Sequence, residues 1–421
     1  MEKELGSFDH LVERLRDEMR YEFSRTGPPN DFPAFHDVPS KRYTSSEFYD
    51  LEQEYLWNKV WIVAGRVEDL PDKGSYFLFD DLGLPLLLVR GQDQIIRCFS
   101  NTCRHRGAPI VREPIGKVKR LRCQYHAWTY STEDGQLLSV TDDRDFVGLC
   151  KEDRALPEIQ CEVWGGWIWI NLDPDAQPLV KFLGSVTNEL EQFKAENLRL
   201  KGTDHRIITC NWKAAVDAFL EVYHLKFIHK SGNLPELDNA GAALGLLPNG
   251  NSRMVSPFSK SSATTMGMKS WEDFKIFPSG GGLEAIPTVH PVFHGTRYSF
   301  TIFPNLVIPL SATGFPILLF FPIDINHTHL RIFHYGLENE NEDQEWEKRI
   351  AAFGKIIDED VENLAPIQKS MASSLYPGMP LNYQERRIWY MHETIDKTIG
   401  IERIPEDHRI EQLLASYVEP S

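Results

Sequence analysis

The sequence predicts an α+β protein in two parts, a β-rich N-terminal segment followed by a larger domain of helices and an antiparallel sheet. Three observations carry this. Between residues 43 and 173, short apolar runs such as Trp61-Ile62-Val63-Ala64, Leu86 to Val89 and Trp167-Ile168-Trp169-Ile170 are bounded by Gly, Pro and Asp turns. Beyond that stretch, helical periods over 183–196, 212–229 and 343–371 alternate with strand-like runs over 297–308, 315–323 and 328–335. At 421 residues, 42% hydrophobic and 25% charged, the chain is long enough to fill two or three cores.

At the N-terminus, Phe8, Leu11, Val12 and Leu15 recur at helical spacing and predict a short amphipathic helix. Residues 22–42, which include Thr26-Gly27-Pro28-Pro29-Asn30, read as an extended arm. Residues 1–42 are therefore expected to pack as helix and arm on the C-terminal domain. The β-rich domain spans 43–175, ending in the polar, proline-containing patch Asp173 to Pro178, and the C-terminal domain spans 176–421. Residues 231–285, rich in Gly, Asn and Ser, read as long loops of the kind that form a lid or binding region. The run Gly280-Gly281-Gly282 lacks the Lys-Ser/Thr and helix start of a phosphate loop and reads as flexible chain. There is no internal repeat.

A net charge of −16 argues against nucleic acid as a partner, since phosphates would meet a repelling surface. No run approaches the ~18 apolar residues that cross a bilayer. The most apolar stretch, Phe315 to Ile323, is broken by Pro316 and Pro322. The start Met-Glu-Lys-Glu has no apolar segment of a secretory signal, and six cysteines (98, 103, 123, 150, 161 and 210) are too few for a disulfide scaffold of this size. A reducing cytoplasm is expected, where grouped Cys and His more often mean metal.

The first such group reads Cys103-Arg-His105-Arg-Gly107, then Cys123-Gln-Tyr-His126. In a chain with six Cys and fourteen His, each half arises by chance about 0.2 times. A Cys2His2 zinc site is one reading. A zinc finger, however, pairs Cys with Cys and sets two His on a helix, whereas here two mixed pairs fall on turns between strands. Two thiolates for one iron and two imidazoles for the other is the ligand set of a Rieske 2Fe-2S cluster, whose neutral His ligands raise its potential.

In Cys103-x-His105-Arg106-Gly107 and Cys123-Gln-Tyr-His126-Ala-Trp128 the sequence resembles the Rieske oxygenase family, specifically catalytic (alpha) subunits of aromatic-ring-hydroxylating oxygenases. Respiratory Rieske proteins carry two further cysteines that form a disulfide; the matching positions here are Ala108 and Tyr125, which disfavours that branch. Between the two halves, Arg104, Arg106, Arg112, Lys117, Lys119, Arg120 and Arg122 face one acid, Glu113. In so acidic a protein this is either a solvated loop or a docking patch for an acidic electron donor.

The second group lies in Asn211 to His229. Asp217, Glu221 and His224 are spaced i, i+4, i+7 and so share one face of a helix. His224 and His229 are five apart, so they meet at one metal only if the helix ends or bulges between them. A third ligand is indicated by periodicity. Trp346, Ile350, Phe353, Ile357, Asp360, Leu364 and Ile367 follow a 4-3-4-3 spacing in which Asp360 alone is not apolar. A solitary carboxylate on a buried face needs a salt bridge or a metal. Two His and one carboxylate leave open positions on Fe(II) for O2.

The resemblance extends to these residues. Asn211-Trp-Lys, Glu221-x-x-His224-x4-His229, Ile302-Phe-Pro-Asn305, Glu359-Asp360 with Gln368, and Glu385-x-x-Ile388-x3-His392 match the family's catalytic-domain pattern, so that it covers about Tyr43 to His392. It implies an all-β Rieske 2Fe-2S domain followed by a helix-grip catalytic domain with mononuclear iron on His224, His229 and Asp360. It implies that Glu221 is a catalytic bridging acid, bonded to His224 and, across a subunit interface, to the cluster ligand His126. The family forms head-to-tail homotrimers, with or without a β subunit. Two departures stand out: Glu221 where many members have Asp, which is more typical of the monooxygenase and quaternary-amine branch, and Asp217-Ala218-Phe219 where an acid-Asn-aromatic triplet is frequent.

The expected activity is that of a terminal oxygenase component, which hydroxylates a small aromatic or hydrophobic substrate with O2. The chain has neither a Gly-x-Gly-x-x-Gly fingerprint nor C-x4-C-x2-C spacing, so electrons are expected from an NAD(P)H-dependent reductase, a ferredoxin or both. An O- or N-demethylating or quaternary-amine monooxygenase is the alternative. An electron carrier would need only the first group, and would leave the C-terminal domain unexplained. For the substrate pocket, Asp217, Phe219, Leu220, Phe293, Phe300 and Phe303 are the candidates, although core packing explains any one of the aromatics as well.

Overall fold

The computed structural model describes residues 2–230, 236–265, 269–273, 279–280 and 282–420. The chain divides into two compact units, Trp57–Leu179 and a second made of Met1–Leu56 with Val180–Ser421. The boundary expected at residue 43 thus falls at 56/57, and packing explains the difference. Buried Glu52 pairs with buried Lys213 at 2.7 Å, and the buried Tyr43 hydroxyl donates to Asp217 at 2.7 Å. These contacts tie the short helices Lys41–Thr44 and Ser46–Leu51 to the C-terminal unit.

In the unit Trp57–Leu179 a seven-stranded antiparallel sheet runs in the order Ile62–Arg66, Trp167–Asn171, Glu158–Trp164, Ile96–Ser100, Leu86–Arg90, Ser75–Phe79, Ile115–Lys117. Trp167–Asn171 is buried along its whole length, which is why it reads as a continuous apolar run instead of an alternation. A smaller sheet of Leu121–Arg122, Thr129–Tyr130 and Leu137–Ser139 shares a core of Leu87, Val89, Phe99, Leu121, Trp128 and Tyr130 with the larger one.

In the other unit a seven-stranded antiparallel sheet runs in the order Arg199–Ile208, His327–Gly336, Phe315–Asp324, Leu306–Leu310, Thr296–Ile302, Ser252–Pro257, Ala243–Leu246. Several expected elements differ. The run 297–308 is two strands turning at Phe303 to Asn305. Part of the expected loop region 231–285 instead supplies two sheet strands, and Arg199–Ile208 is hidden from an apolar-run search because its side chains are nearly all exposed or half-exposed and mostly polar. The period over 183–196 becomes the short helices Leu179–Leu183 and Val186–Leu190 with single turns after them. The N-terminal helix extends over Glu2–Ser24, with Phe8, Val12, Leu15 and Met19 buried, and takes the first residues of the expected arm. No helix among the described residues is long and apolar enough to cross a membrane.

The helix Asp343–Val361 packs on this sheet through positions that lack a side chain. A Cβ at Gly336 would stand 2.0 Å from Trp346 Cζ2, and one at Gly202 2.6 Å from Ile350 Cδ1. Those glycines let the helix approach closely enough to bury Trp346. Gly336→Ala forces backbone or ring to move, so it should lower unfolding stability by about 1–3 kcal/mol. The midpoint of urea unfolding measures this; an unchanged midpoint would show the helix seat to be adaptable.

Candidate functional site

In the N-terminal unit two loops of matching form hold the predicted cluster residues. In one, the Cys103 amide donates to Ala108 O at 2.8 Å and the Gly107 amide to Cys103 O at 3.0 Å. In the other, the Cys123 amide donates to Trp128 O at 2.9 Å and the Ala127 amide to Cys123 O at 3.1 Å. Gly107 and Ala127 take the left-handed conformation, φ +75° and +60°, at equivalent places in the two loops. The loops bury both thiols and turn His105 Nδ1 toward His126 Nδ1 at 3.2 Å. Burial raises the Cys103 thiol pKa, against the Tyr130 hydroxyl at 3.2 Å, so a buried thiolate here calls for a cation. All six cysteines are unpaired. Arg104, Arg106, Arg112, Lys117, Lys119, Arg120 and Arg122 are all exposed, and Lys117 is paired with Asp72 at 2.9 Å.

In the C-terminal unit the helix expected over 212–229 stops at Asp217, ahead of both histidines, and a second short helix occupies the interval between them. Asn211 caps Trp212–Asp217, and a short second helix, Leu225–Ile228, has His224 at its N-cap and His229 at its C-cap. Asp217, Glu221 and His224 therefore do not share one continuous helix face. The break brings His224 Nε2 within 3.2 Å of His229 Nε2. Asp360, in the last turn of Asp343–Val361, places Oδ1 3.2 Å from His229 Nε2 and 3.5 Å from His224 Nε2. That oxygen is buried and accepts no aligned hydrogen bond. The other ring nitrogens are committed elsewhere: His224 Nδ1 to Glu221 Oε1, and His229 Nδ1 to Glu359 Oε2 at 3.0 Å. Burial alone would lower the His229 pKa, but Asp360 and Glu359 outweigh it and raise it. Carboxylates holding the far nitrogens while the near ones converge is the usual setting of metal-bound imidazole. The residues present fit a small cation.

The stripe containing Asp360 is interrupted at Glu362 and Asn363, beyond which Leu364–Met371 starts a new helix. Ile367, expected on the buried face, is 40% exposed, and Gln368 is buried in its stead. A cavity of about 800 Å³ opens onto His224, His229, Glu221 and Asp360. Of the pocket candidates, Phe219 and Phe293 line it; Asp217, Leu220, Phe300 and Phe303 are not among its lining residues and are buried elsewhere in the unit. The residues that sequence reasoning missed are Arg297, Arg349, His294 and His334, which also line it. Arg349 belongs to the same i, i+4, i+7, i+11 face as Phe353, Ile356 and Asp360, a signal open to periodicity had charged residues been counted.

A fold in which one unit presents paired thiols and imidazoles and the other a two-histidine, one-carboxylate cradle under a cavity defines an iron-sulfur protein with a second metal centre. Comparison with known proteins makes the class specific. Residues 60–148 match the Rieske [2Fe-2S] domain, and residues 188–401, just over half of the chain, match the ring hydroxylating alpha subunit (catalytic domain). The chain belongs to this family of Rieske oxygenase alpha subunits. It is 26% identical over 354 residues to 2-aminobenzenesulfonate 2,3-dioxygenase subunit alpha from Alcaligenes sp., covering 83% of this chain and 86% of that one. To the carnitine monooxygenase oxygenase subunit of Acinetobacter pittii (strain PHEA-2) it is 26% identical over 362 residues, covering 83% and 90%. The fold is that of naphthalene 1,2-dioxygenase from Rhodococcus sp. bound to indole, with TM-score 0.68 at 21% identity over 93% of this chain and 99% of the other. The chain is thus a terminal oxygenase with a 2Fe-2S cluster and a mononuclear iron, served by O2, an organic substrate and an electron-transfer partner.

The same unit holds a buried polar network. Arg42 Nε donates to His392 Nδ1 at 3.0 Å, which leaves the proton of the neutral ring on Nε2. His392 Nε2 then donates to Tyr43 Oη at 2.7 Å, and Tyr43 donates to Asp217 Oδ2. Burial pushes the Asp217 carboxyl up to about 7; Tyr43, Lys213 and Arg42 oppose this, and Glu385 adds to it. Its ordinary value is 3.8, so across that window the folded protein keeps a proton that the unfolded chain has shed. This group's contribution to stability is full below about pH 4 and is lost as pH rises through about 7. Asp217→Asn keeps an acceptor for Tyr43 and should gain on the parent as pH rises from about 5 to about 8. Urea midpoints at the two pH values test it; a difference independent of pH would mean that Asp217 stays ionised.

Proposed function

We propose that His224, His229 and Asp360 hold the mononuclear iron and that Cys103, His105, Cys123 and His126 hold the cluster. The observation that carries the first assignment is Asp360 Oδ1, buried without a hydrogen bond within 3.5 Å of two imidazole nitrogens that point to the same place. An uncompensated carboxylate there would be costly, and a divalent cation supplies the compensation. Iron so bound offers open positions to O2, and the cluster passes on single electrons. Glu221 orients His224, Glu359 orients His229, and Phe219, Leu225, Phe258 and Phe353 give the cavity a water-excluding wall. That wall supports an aromatic or otherwise hydrophobic substrate body. Likeness to carnitine monooxygenase keeps dealkylation or a quaternary-amine substrate as the second reading. Unpaired cysteines support a reducing, cytoplasmic setting.

Asp360→Ala should keep the cluster's EPR signal after dithionite reduction while iron falls from about three to about two per chain and product disappears. Retained iron and turnover would remove Asp360 from the site.

We further propose a head-to-tail homotrimer, with or without a β subunit, in which Glu221 of one chain approaches His126 of another. The half-exposed ring of His126, whose Nδ1 is turned inward to His105, and the position of Glu221 on His224 support this. Cys123→Ser and Asp360→Ala chains, each inactive alone, should regain part of the activity when co-assembled, because mixed trimers contain an intact cluster facing an intact iron site. A monomeric sedimentation mass, or mixed trimers that stay inactive, would overturn the arrangement.

A further inference from the structure

The cavity over the iron cradle carries two positive charges at the end away from it. Arg297 projects from the strand Thr296–Ile302, its guanidinium 5.1 Å from the Phe258 ring centre, and its one side-chain hydrogen bond among the described residues runs to the neighbouring Thr296 carbonyl at 3.4 Å. Arg349 projects from Asp343–Val361 and donates to Thr313 Oγ1 at 2.6 Å, Ser311 Oγ at 2.8 Å and Gly314 O at 2.6 Å. All of these acceptors are neutral. Among the described residues no Asp or Glu forms an ion pair with either arginine. The cavity acid Glu345 is paired with Lys348 at 2.7 Å, and Glu236 acts on Arg297 only through its charge at longer range. Both side chains are half-buried because they front the cavity, while protein encloses them otherwise. Burial, and for Arg349 the charge of Arg297, lowers both pKa values to about 10, which still leaves both cationic at neutral pH. His334 is held neutral at about 4 by burial and by Arg349, so it does not dilute the pattern.

Two enclosed guanidinium groups that repel one another, with Glu236 acting on one of them at longer range and no carboxylate of the described residues in ion-pair contact with either, are unfavourable unless something anionic completes the site. The fork of Arg349 is fixed by its three neutral bonds, so it is preorganised to receive an oxyanion. Eleven residues of one helix separate Arg349 from Asp360, roughly 16 Å of rise, with Phe353 and Ile357 facing the cavity between them.

Resting on the iron site proposed above, we infer that the substrate is an elongated organic anion: a carboxylate or sulfonate received by Arg297 and Arg349, an apolar body along Phe353 and Ile357, and the carbon to be oxidised at the far end beside His224, His229 and Asp360. The same arginines disfavour a substrate whose only charge is positive.

The test uses the holoprotein and matched probes that differ only in charge: 3-phenylpropanoate, 4-phenylbutanoate and 5-phenylpentanoate, the corresponding sulfonates, and the corresponding primary amides. Binding is read by equilibrium dialysis under anaerobic conditions, without turnover. At least one acid series should bind about thirtyfold or more tightly than its amides, and Arg297→Met or Arg349→Met should abolish that preference. Carboxylate and sulfonate arms report which headgroup the site takes. Acids that bind no better than amides, or no binding by any acid, would overturn the inference, and this comparison needs no variant to fold. Iron content measured on the same samples separates the outcomes: full iron without anion preference rejects the substrate class alone, whereas missing mononuclear iron rejects the site itself.

Discussion

One oxygen atom constrains much of the C-terminal unit: Asp360 Oδ1, buried, with no aligned hydrogen bond and two imidazole nitrogens within 3.5 Å. Its position in the last turn of Asp343–Val361 aggravates the problem, because the helix dipole already places negative potential there. Asp358, Glu359 and Asp360 stand together at that end. The first is answered by Arg206 and the second by the His229 ring and the Lys230 amide. Only the third is left facing imidazole nitrogens whose partner nitrogens are already engaged. A bound cation resolves the whole arrangement at once, and without it the two rings and the carboxylate have no common partner.

The geometry that brings those rings together depends on where a helix stops. Trp212–Asp217 must end so that His224 can cap the next turn and His229 can close it. Its first turn is anchored from outside: the Asn211 amide donates to Gln368 Oε1 at 3.0 Å, and Gln368 Nε2 donates to Tyr43 O at 3.2 Å. Lys213 and Glu52 form a fully buried ion pair, as do Arg42 and Asp396 at 2.7 Å. Buried pairs of this kind add little net stability, yet losing one partner leaves an uncompensated charge. The first pair fixes the segment 41–56 to the helix that precedes the histidines and the second fixes it to the helix Arg386–Ile399, and this is why that segment belongs to the catalytic unit despite its place in the chain.

Much of this was legible in the sequence where spacing and chemistry coincide. Cys103, His105, Cys123 and His126 lie on two short turns, so linear spacing translates directly into proximity. Asp360 was legible because a helix converts a period into a face. The break between Asp217 and His224 was not, since Val216, Leu220 and Leu225 keep an apolar pattern through it and no Pro or Gly marks the stop. Ile367 misled for the same reason in reverse: the period continues past Glu362 and Asn363, but the chain restarts its helix in a new register. The network of Tyr43, Asp217 and His392 joins residues up to 349 positions apart, and no local pattern reports such a contact. Phe300 and Phe303 were sensible pocket candidates by type, but an aromatic on a buried strand, as Phe300 is, or in the turn after it, as Phe303 is, says nothing about which face it serves.

The two ends of the cavity are opposite in charge, which raises the question of whether an anion would be expelled by the acids at the iron end. Distance decides. In a surrounding of effective dielectric constant about 20, two unit charges about 16 Å apart interact by about 1 kcal/mol, whereas a guanidinium and an oxyanion about 4 Å apart gain about 4 kcal/mol. A metal held at Asp360, as proposed, would weaken the repulsive side further. The anion is therefore stable only at the arginine end, and the helix that carries both Arg349 and Asp360 holds the two ends at a set separation. A longer or shorter substrate cannot be accommodated by sliding, because moving along the cavity gives up the guanidinium contact. Selection among substrates then falls to the apolar residues between the ends, Phe353 and Ile357 on the helix and Val307 and Leu310 on the facing sheet, whose volumes determine which carbon reaches the iron.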